Sequence, residues 1–230
     1  MGAMPMRVIL ATLLVACGLA VAQINVVPAR ADPEACPPVC DQIPGTAWIR
    51  QRAIPLDAVY HWPALAGSAV QVTGIAGGPR FRFEDVCGTT ALPRDNRDSA
   101  VAARATVAHP EGQWQLQAQV LHWRGDTARG GAIAASVFAA AVAALRACQR
   151  RAPQESPSIT SDEPDRMAAV VSGPVVMHTY LVAHAASSTV SELTLWSSGP
   201  PRVPWPAMAD DPVLDAMTTS LCDAYIASCP

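Results

Sequence analysis

Apolar and polar residues alternate at period two in two regions of the chain, and each region runs into a stretch with helical spacing. Val101 to His109 and Gln113 to Trp123 flank Pro110-Glu111-Gly112, the pattern of a β-hairpin. In the second strand Trp114, Leu116, Ala118, Val120 and His122 share one face, while Gln113, Gln115, Gln117, Gln119, Leu121 and Trp123 share the other. One face is mostly apolar and one mostly polar, so the sheet is expected to have a wetter side. Gly125-Asp126-Thr127 then opens a helix from about Arg129 to Arg151. Ile133, Val137, Ala140, Ala141, Ala144, Leu145 and Cys148 lie on one face of it, arginines occupy its last turns, and Pro153 stops it.

The second region reads as strands over Met167 to Ser172, Val175 to His184 and Thr189 to Ser197, with Ser187-Ser188 in a turn. A stiff connector from Gly199 to Pro206 carries Trp205, and a helix follows from Asp210-Asp211-Pro212 to about Ile226. Pro212 suits the first helical position, and the two aspartates read as capping residues. Weaker period-two signals predict strands at Ser68 to Ile75 and at Arg80-Phe81-Arg82-Phe83, whereas Pro93 to Asp98 and Ala152 to Pro164 read as loops. The two regions echo each other: Cys148 follows the strand-ending Trp123 by 25 residues, and Cys222 follows Trp196 by 26. Together they predict an α+β domain in which one antiparallel sheet is built from two β-β-α units, residues 67–151 and 165–230, with the helices packed on it. Trp123 and Trp196 are expected to take equivalent places.

The N-terminus changes the picture of where this domain works. Arg7, an apolar run from Val8 to Ala22 and an exit site at Ala29-Arg30-Ala31 have the layout of a signal peptide over residues 1–31. Residues 32–230 are then one secreted domain, beginning with a Pro-rich arm at 32–66 that carries Cys36-Pro-Pro-Val-Cys40, with one short helix or turn within Ile54 to Leu65. Leu14-Val15-Ala16-Cys17 resembles a lipobox, and membrane association is expected only if Cys17 carries a lipid. Six cysteines remain after the exit site: Cys36, Cys40, Cys87, Cys148, Cys222 and Cys229. An even count in an exported chain reads as three structural disulfides. If the last helix continues to Cys229, Cys222 and Cys229 stand about 10.5 Å apart, too far for a bond. The economical framework sews Cys36 and Cys40 to Cys222 and Cys229 and pairs Cys87 with Cys148; a local Cys222–Cys229 bond across a frayed helix end is the alternative.

Charge and composition narrow the chemistry. Residues 32–230 carry fourteen basic and nineteen acidic side chains, a net of −5, which disfavours nucleic acid as a partner. Every cation is arginine, so P-loop, protein-kinase and Schiff-base chemistry lack their lysine. No pair of the five histidines has zinc-helix spacing, and no G-x-S-x-G elbow occurs. Glu192 reads as a solvated strand residue. No catalytic residue, metal ligand or cofactor is assigned. The candidate ligand-binding residues are Trp114, His122, Trp123, Arg124, Tyr180 and Trp196, lining an aromatic cleft suited to an envelope glycan, lipid or protein.

Two resemblances point the same way. The Ala29-Arg30-Ala31-Asp32-Pro33 junction, the Cys36-Pro-Pro-Val-Cys40 arm and the Leu221-Cys222, Tyr225-Ile226 and Cys229 ending resemble small exported mycobacterial proteins. The stretch from Ser136-Val137-Phe138 to Leu145-Arg146-Ala147-Cys148 is similar to the extracellular sensor domain of PknH-type receptor kinases, with Leu145 where that family often has Trp. The second resemblance implies a disulfide-bonded antiparallel sheet with packed helices around a ligand cleft. The expected function is a secreted, non-enzymatic, sensor-like binding domain of the bacterial cell envelope. The alternatives are an envelope hydrolase with a scattered Ser/His/acid site and a structural or chaperone-like envelope factor.

Overall fold

The computed structural model describes residues 36–73, 79–90 and 95–229. The signal segment 1–31, Cys17 and the arm before Cys36 lie outside the described residues. Short helices α1 (Asp57–Tyr60) and α2 (Leu65–Ser68) belong to the arm, and the two-residue strand β1 (Val70–Gln71) follows. Then come α3 (Arg82–Val86), β2 (Val101–Val107), β3 (Gln115–His122), α4 (Thr127–Arg146) and α5 (Cys148–Arg151). The chain ends with β4 (Ser156–Asp162), β5 (Arg166–Ser172), β6 (Val176–His184), β7 (Thr189–Ser197) and α6 (Asp211–Ala224).

Seven strands form one antiparallel sheet in the order β1-β2-β3-β7-β6-β5-β4. The expected α+β fold of two β-β-α units is present as β2-β3-α4 and β6-β7-α6. Their last strands meet at the centre, where Gln115 stands opposite Trp196 and His122 opposite Thr189. Trp123 and Trp196 therefore lie at opposite ends of the β3–β7 pair, and both belong to the apolar cluster under α4.

The two helices lie on opposite faces of the sheet. Phe138, Val142 and Leu145 of α4 pack with Leu121, Met177, Leu181 and Val190. Val213, Leu214, Met217 and Leu221 of α6 pack with Leu116, Leu193, Leu195 and the arm residues Trp48, Ile54, Trp62 and Leu65. The wetter side expected from β3 is therefore absent: Gln117 and Gln119 are buried, and all nine residues of β7 are buried. A strand buried on both faces does not need clean alternation, which is why the sequence pattern misleads there.

Two short signals resolve differently from expectation. Arg80 to Phe83 is the entry to α3, because Glu84 takes the Phe81 N–H on its carboxylate at 2.8 Å and closes a turn. Four residues of alternation are weak against a local capping bond. The expected strand at Ser68 to Ile75 is realised only as β1, and residues 74–78 are outside the described set. Within Ala152 to Pro164, expected to be a loop, β4 forms the sheet edge, where Pro157 and three serines are tolerated because one side of the strand has no partner.

All three disulfides form, and one pairing matches the expected framework. Cys87 joins Cys148 across 61 residues, with Cα atoms 4.7 Å apart. The proposed stitching of arm to C-terminal helix is replaced by local bonds, Cys36–Cys40 and Cys222–Cys229, with Cα separations of 5.7 and 5.0 Å. The reason is that α6 stops at Ala224; the chain extends at Tyr225 and turns at Ala227, which brings Cys229 back. The arm still meets the C-terminus, through backbone bonds: Cys36 N–H donates to Ala224 O at 2.8 Å, and Cys36 O accepts from the Ile226 N–H at 3.0 Å.

Candidate ligand-binding cavity

Trp123 and Arg124 sit where β3 hands over to α4. Gly125 makes that turn at φ +101°, and Asp126 caps α4 by accepting the Arg129 N–H at 2.7 Å. α4 starts close against the β6–β7 turn; a Cβ at Gly131 would stand 2.6 Å from the Ala185 carbonyl oxygen, so that position needs glycine. On the other side, the Gly125 N–H donates to Pro38 O at 2.9 Å and docks the Cys36–Cys40 loop against the junction. The result is an open cavity of about 620 Å³ lined chiefly by Val39, Ser99, Trp123, Arg124, Arg129 and Ile133. Its floor is Trp123, whose indole N–H donates to Asn96 O at 2.9 Å. Arg124 and Arg129 are exposed and form no ion pair among the described residues.

His122 stands behind the cavity wall. Its buried ring stacks on Tyr225 at 4.5 Å, with Nδ1 3.0 Å from Ser187 O and Nε2 3.2 Å from Pro38 O. Burial, with help from the Arg124 charge, pushes its pKa below the usual histidine range, against the pull of those carbonyls. The neutral ring can donate to one carbonyl only.

The other expected site residues do not join this cavity. Trp114 and Tyr180 are buried on the α6 face. There Trp114 donates to Val203 O at 2.8 Å and meets His178 and Trp205, whose rings stack at 3.5 Å. Tyr180 is buried beside Asp210, which shows no side-chain cap bond to α6, contrary to the capping role expected of it. The Tyr180 hydroxyl closes no hydrogen bond of ordinary geometry with that carboxylate. Trp196 lies at the opposite end of the α4 face, beneath the Arg82 guanidinium at 4.7 Å. The expected single aromatic cleft is thus three separate places. Arg129 was legible in principle, since a cap at Asp126 puts it in the first helical turn beside Trp123. Val39 was not, because only docking of the disulfide loop brings it there.

A second cavity, about 480 Å³, runs along the C-terminal half of α4, with Arg150 and Arg151 at its rim. Its inner wall holds a buried ion cluster: Arg97 binds Glu84 at 2.7 and 3.1 Å and Asp95 at 2.5 and 2.9 Å. Burial opposes ionisation of Asp95, yet the bonds and charge of Arg97 hold its carboxyl below the usual range. Glu192, expected to be solvated, is fully buried on the same sheet face and accepts the Arg82 N–H at 2.7 Å. Burial, reinforced by Glu84 and opposed by the Arg82 bond, pushes its carboxyl up to about 8.

Serine and histidine do meet, at the β6–β7 turn, where His184 Nδ1 lies 2.8 Å from Ser187 Oγ. That hydroxyl is buried, also bonds Thr189 Oγ1, and donates to the His184 carbonyl at 3.2 Å, so it locks a turn and offers no attacking oxygen. Among the described residues, Cys222, Asp223 and Cys229 are grouped like metal ligands, but both sulfurs are spent in a disulfide. No family model, curated protein or solved structure matches the chain.

Proposed function

We propose that residues 32–230 form a secreted, non-enzymatic binding domain of the bacterial envelope whose ligand site is the Trp123–Arg124 cavity. The observation that carries this reading is the open 620 Å³ space at the strand–helix junction, in the size range of small-molecule sites. Its walls come from the β3–α4 turn, α4 and the disulfide-closed arm, so they are held in place before any ligand arrives. Extracytoplasmic disulfide chemistry and the signal-like N-terminus support an exported protein. A disulfide-bonded antiparallel sheet with packed helices agrees in outline with the sensor-domain resemblance, which implies ligand binding rather than turnover.

The test is native mass spectrometry of the mature protein after incubation with lipid and glycan fractions of a bacterial envelope. A bound adduct is expected on the wild type. Ser99 is exposed at the cavity, and Ser99→Trp fills that space, so the variant is expected to lose the adduct at an unchanged melting temperature. An adduct that persists in Ser99→Trp places the ligand elsewhere and removes this reading. The first residue found in the same spectra tests the address: Asp32 supports cleavage after Ala31, and a lipid on Cys17 replaces free secretion with anchoring.

A further inference from the structure

We infer that the cavity takes an anionic amphiphile, an alkyl or ring body bearing a phosphate or carboxylate; this rests on the reading of the cavity as the ligand site. The cavity is chemically two-sided. Val39, exposed over 68 % of its surface, and Ile133 supply aliphatic wall, and Trp123 supplies the floor. Arg124 and Arg129 supply two guanidinium groups at the same opening. Against them stands one carboxylate among the lining residues, Asp126, whose Oδ1 accepts the Arg129 backbone N–H at 2.7 Å. The lining therefore carries an excess of one positive charge, and neither guanidinium is ion-paired among the described residues, in a domain whose net charge is negative. A neutral sugar would leave both guanidinium groups without an ionic partner, and a cationic ligand would meet two like charges. A single oxyanion can accept from both arginines, since guanidinium donors match phosphate and carboxylate geometry. The aliphatic wall then has an apolar body to cover, whereas a bare inorganic anion would leave it wet.

Calorimetric titration of the mature protein with three probes tests this, the detergents being kept below their micellar concentrations. The probes are dodecyl phosphate, dodecyl maltoside and inorganic phosphate. Dodecyl phosphate is expected to bind saturably, at least tenfold tighter than either of the others, and more weakly as salt is raised. Arg124→Gln/Arg129→Gln is expected to erase the preference for the phosphate head while the melting temperature stays put. Equal affinity for the two detergents, or a preference that survives the double variant, overturns the anionic class and leaves the cavity reading standing. Inorganic phosphate binding as well as dodecyl phosphate overturns the amphiphile. Binding of none of the three, together with a Ser99→Trp variant that keeps its adduct, removes the cavity reading itself. A parallel titration with phosphatidylglycerol vesicles separates two sources of the same chemistry: vesicle binding assigns a lipid headgroup, and monomer binding alone assigns a free amphiphile.

Discussion

Each face of the sheet buries its own apolar cluster, but the two are closed by different means. Under α4, closure is polar and long-range: Cys87–Cys148, the Arg97 cluster with Glu84 and Asp95, and the Glu192 carboxyl against the Arg82 backbone. Under α6, closure is aromatic and local: Tyr60 stacks on Trp62, Trp205 stacks on His178, and two disulfides close loops of a few residues at the ends of the domain. A sheet covered on both sides can thus gather its buried ion cluster and its long-range cross-link in one layer, while aromatic side chains pack in both. The consequence is that the layers are expected to fail under different stresses.

The largest contrast lies in the cross-links and the ion cluster. Breaking Cys87–Cys148 with a double serine variant reopens a loop of 61 residues and is expected to cost about 4 kcal/mol on the chain-entropy model. The same change at Cys222–Cys229 reopens 7 residues and is expected to cost about 2.5 kcal/mol. Arg97→Ala leaves two buried carboxylates without their counter-ion and is expected to cost about 3–5 kcal/mol. Urea unfolding of the variants checks all three, and equal losses for the two disulfides would erase the asymmetry between the layers.

Acid and alkali are expected to separate the faces next. Glu192 has its folded-state pKa pushed up to about 8, above the ordinary carboxyl value, so the stability it confers is complete at low pH and drains away as pH rises toward 8. Each pH unit across that window costs up to about 1.4 kcal/mol. On the α6 face, burial pushes His178 down to about 4, against the pull of Asp210; its contribution is complete above the ordinary histidine value and is lost as pH falls toward 4. His122 and His184, also lowered by burial, add to the acid-side loss. Stability is therefore expected to hold level where the two windows overlap and to decline on both sides. Glu192→Gln should flatten the alkaline decline alone, and His178→Phe, which keeps a ring against Trp205, should soften the acid one. Melting temperatures recorded across pH read both effects, and a Glu192→Gln curve that still falls in alkali assigns the decline to other groups.

The asymmetry between the faces was only partly legible in the sequence. The central hairpins and both long helices announced themselves, because period-two runs, turn residues, a Pro at the first helical turn and spaced apolar residues all agree there. What the pattern could not supply was the side of the sheet on which each helix lands. After Trp123 the chain turns directly at Gly125 into α4, whereas after Trp196 a Pro-rich connector carries it to the other face before α6 begins. Nothing in the alternation of β3 or β7 records that difference, since strands buried on both faces lose their polar side. The candidate site suffered for the same reason. Six residues chosen for aromatic or cationic character were divided between two faces and three locations: Trp123 and Arg124 at the cavity with His122 behind its wall, Trp114 and Tyr180 on the α6 face, and Trp196 at the far end of the α4 face. Val39 completes the cavity through a loop closed by a bond between near neighbours, Cys36 and Cys40, where the expected framework had sewn both to the C-terminal cysteines.

The smallest expected effect tests whether charge also holds the α6 layer. Arg166 of β5 bonds Glu163 at 2.7 Å and pairs with Asp215 of α6, an ion pair between the sheet and that helix. Both carboxylates keep substantial contact with water, so their attraction to Arg166 is screened and offset by the entropy of ordering long side chains. Asp215→Asn is expected to lower stability by no more than about 1 kcal/mol, less in high salt than in low. Arg97→Ala, by contrast, should keep most of its cost in high salt, because its partners are buried. If Asp215→Asn proved as damaging as Arg97→Ala, the α6 layer would be held by charge after all. The distinction between a polar and an aromatic face would then give way to a sheet clamped electrostatically on both sides.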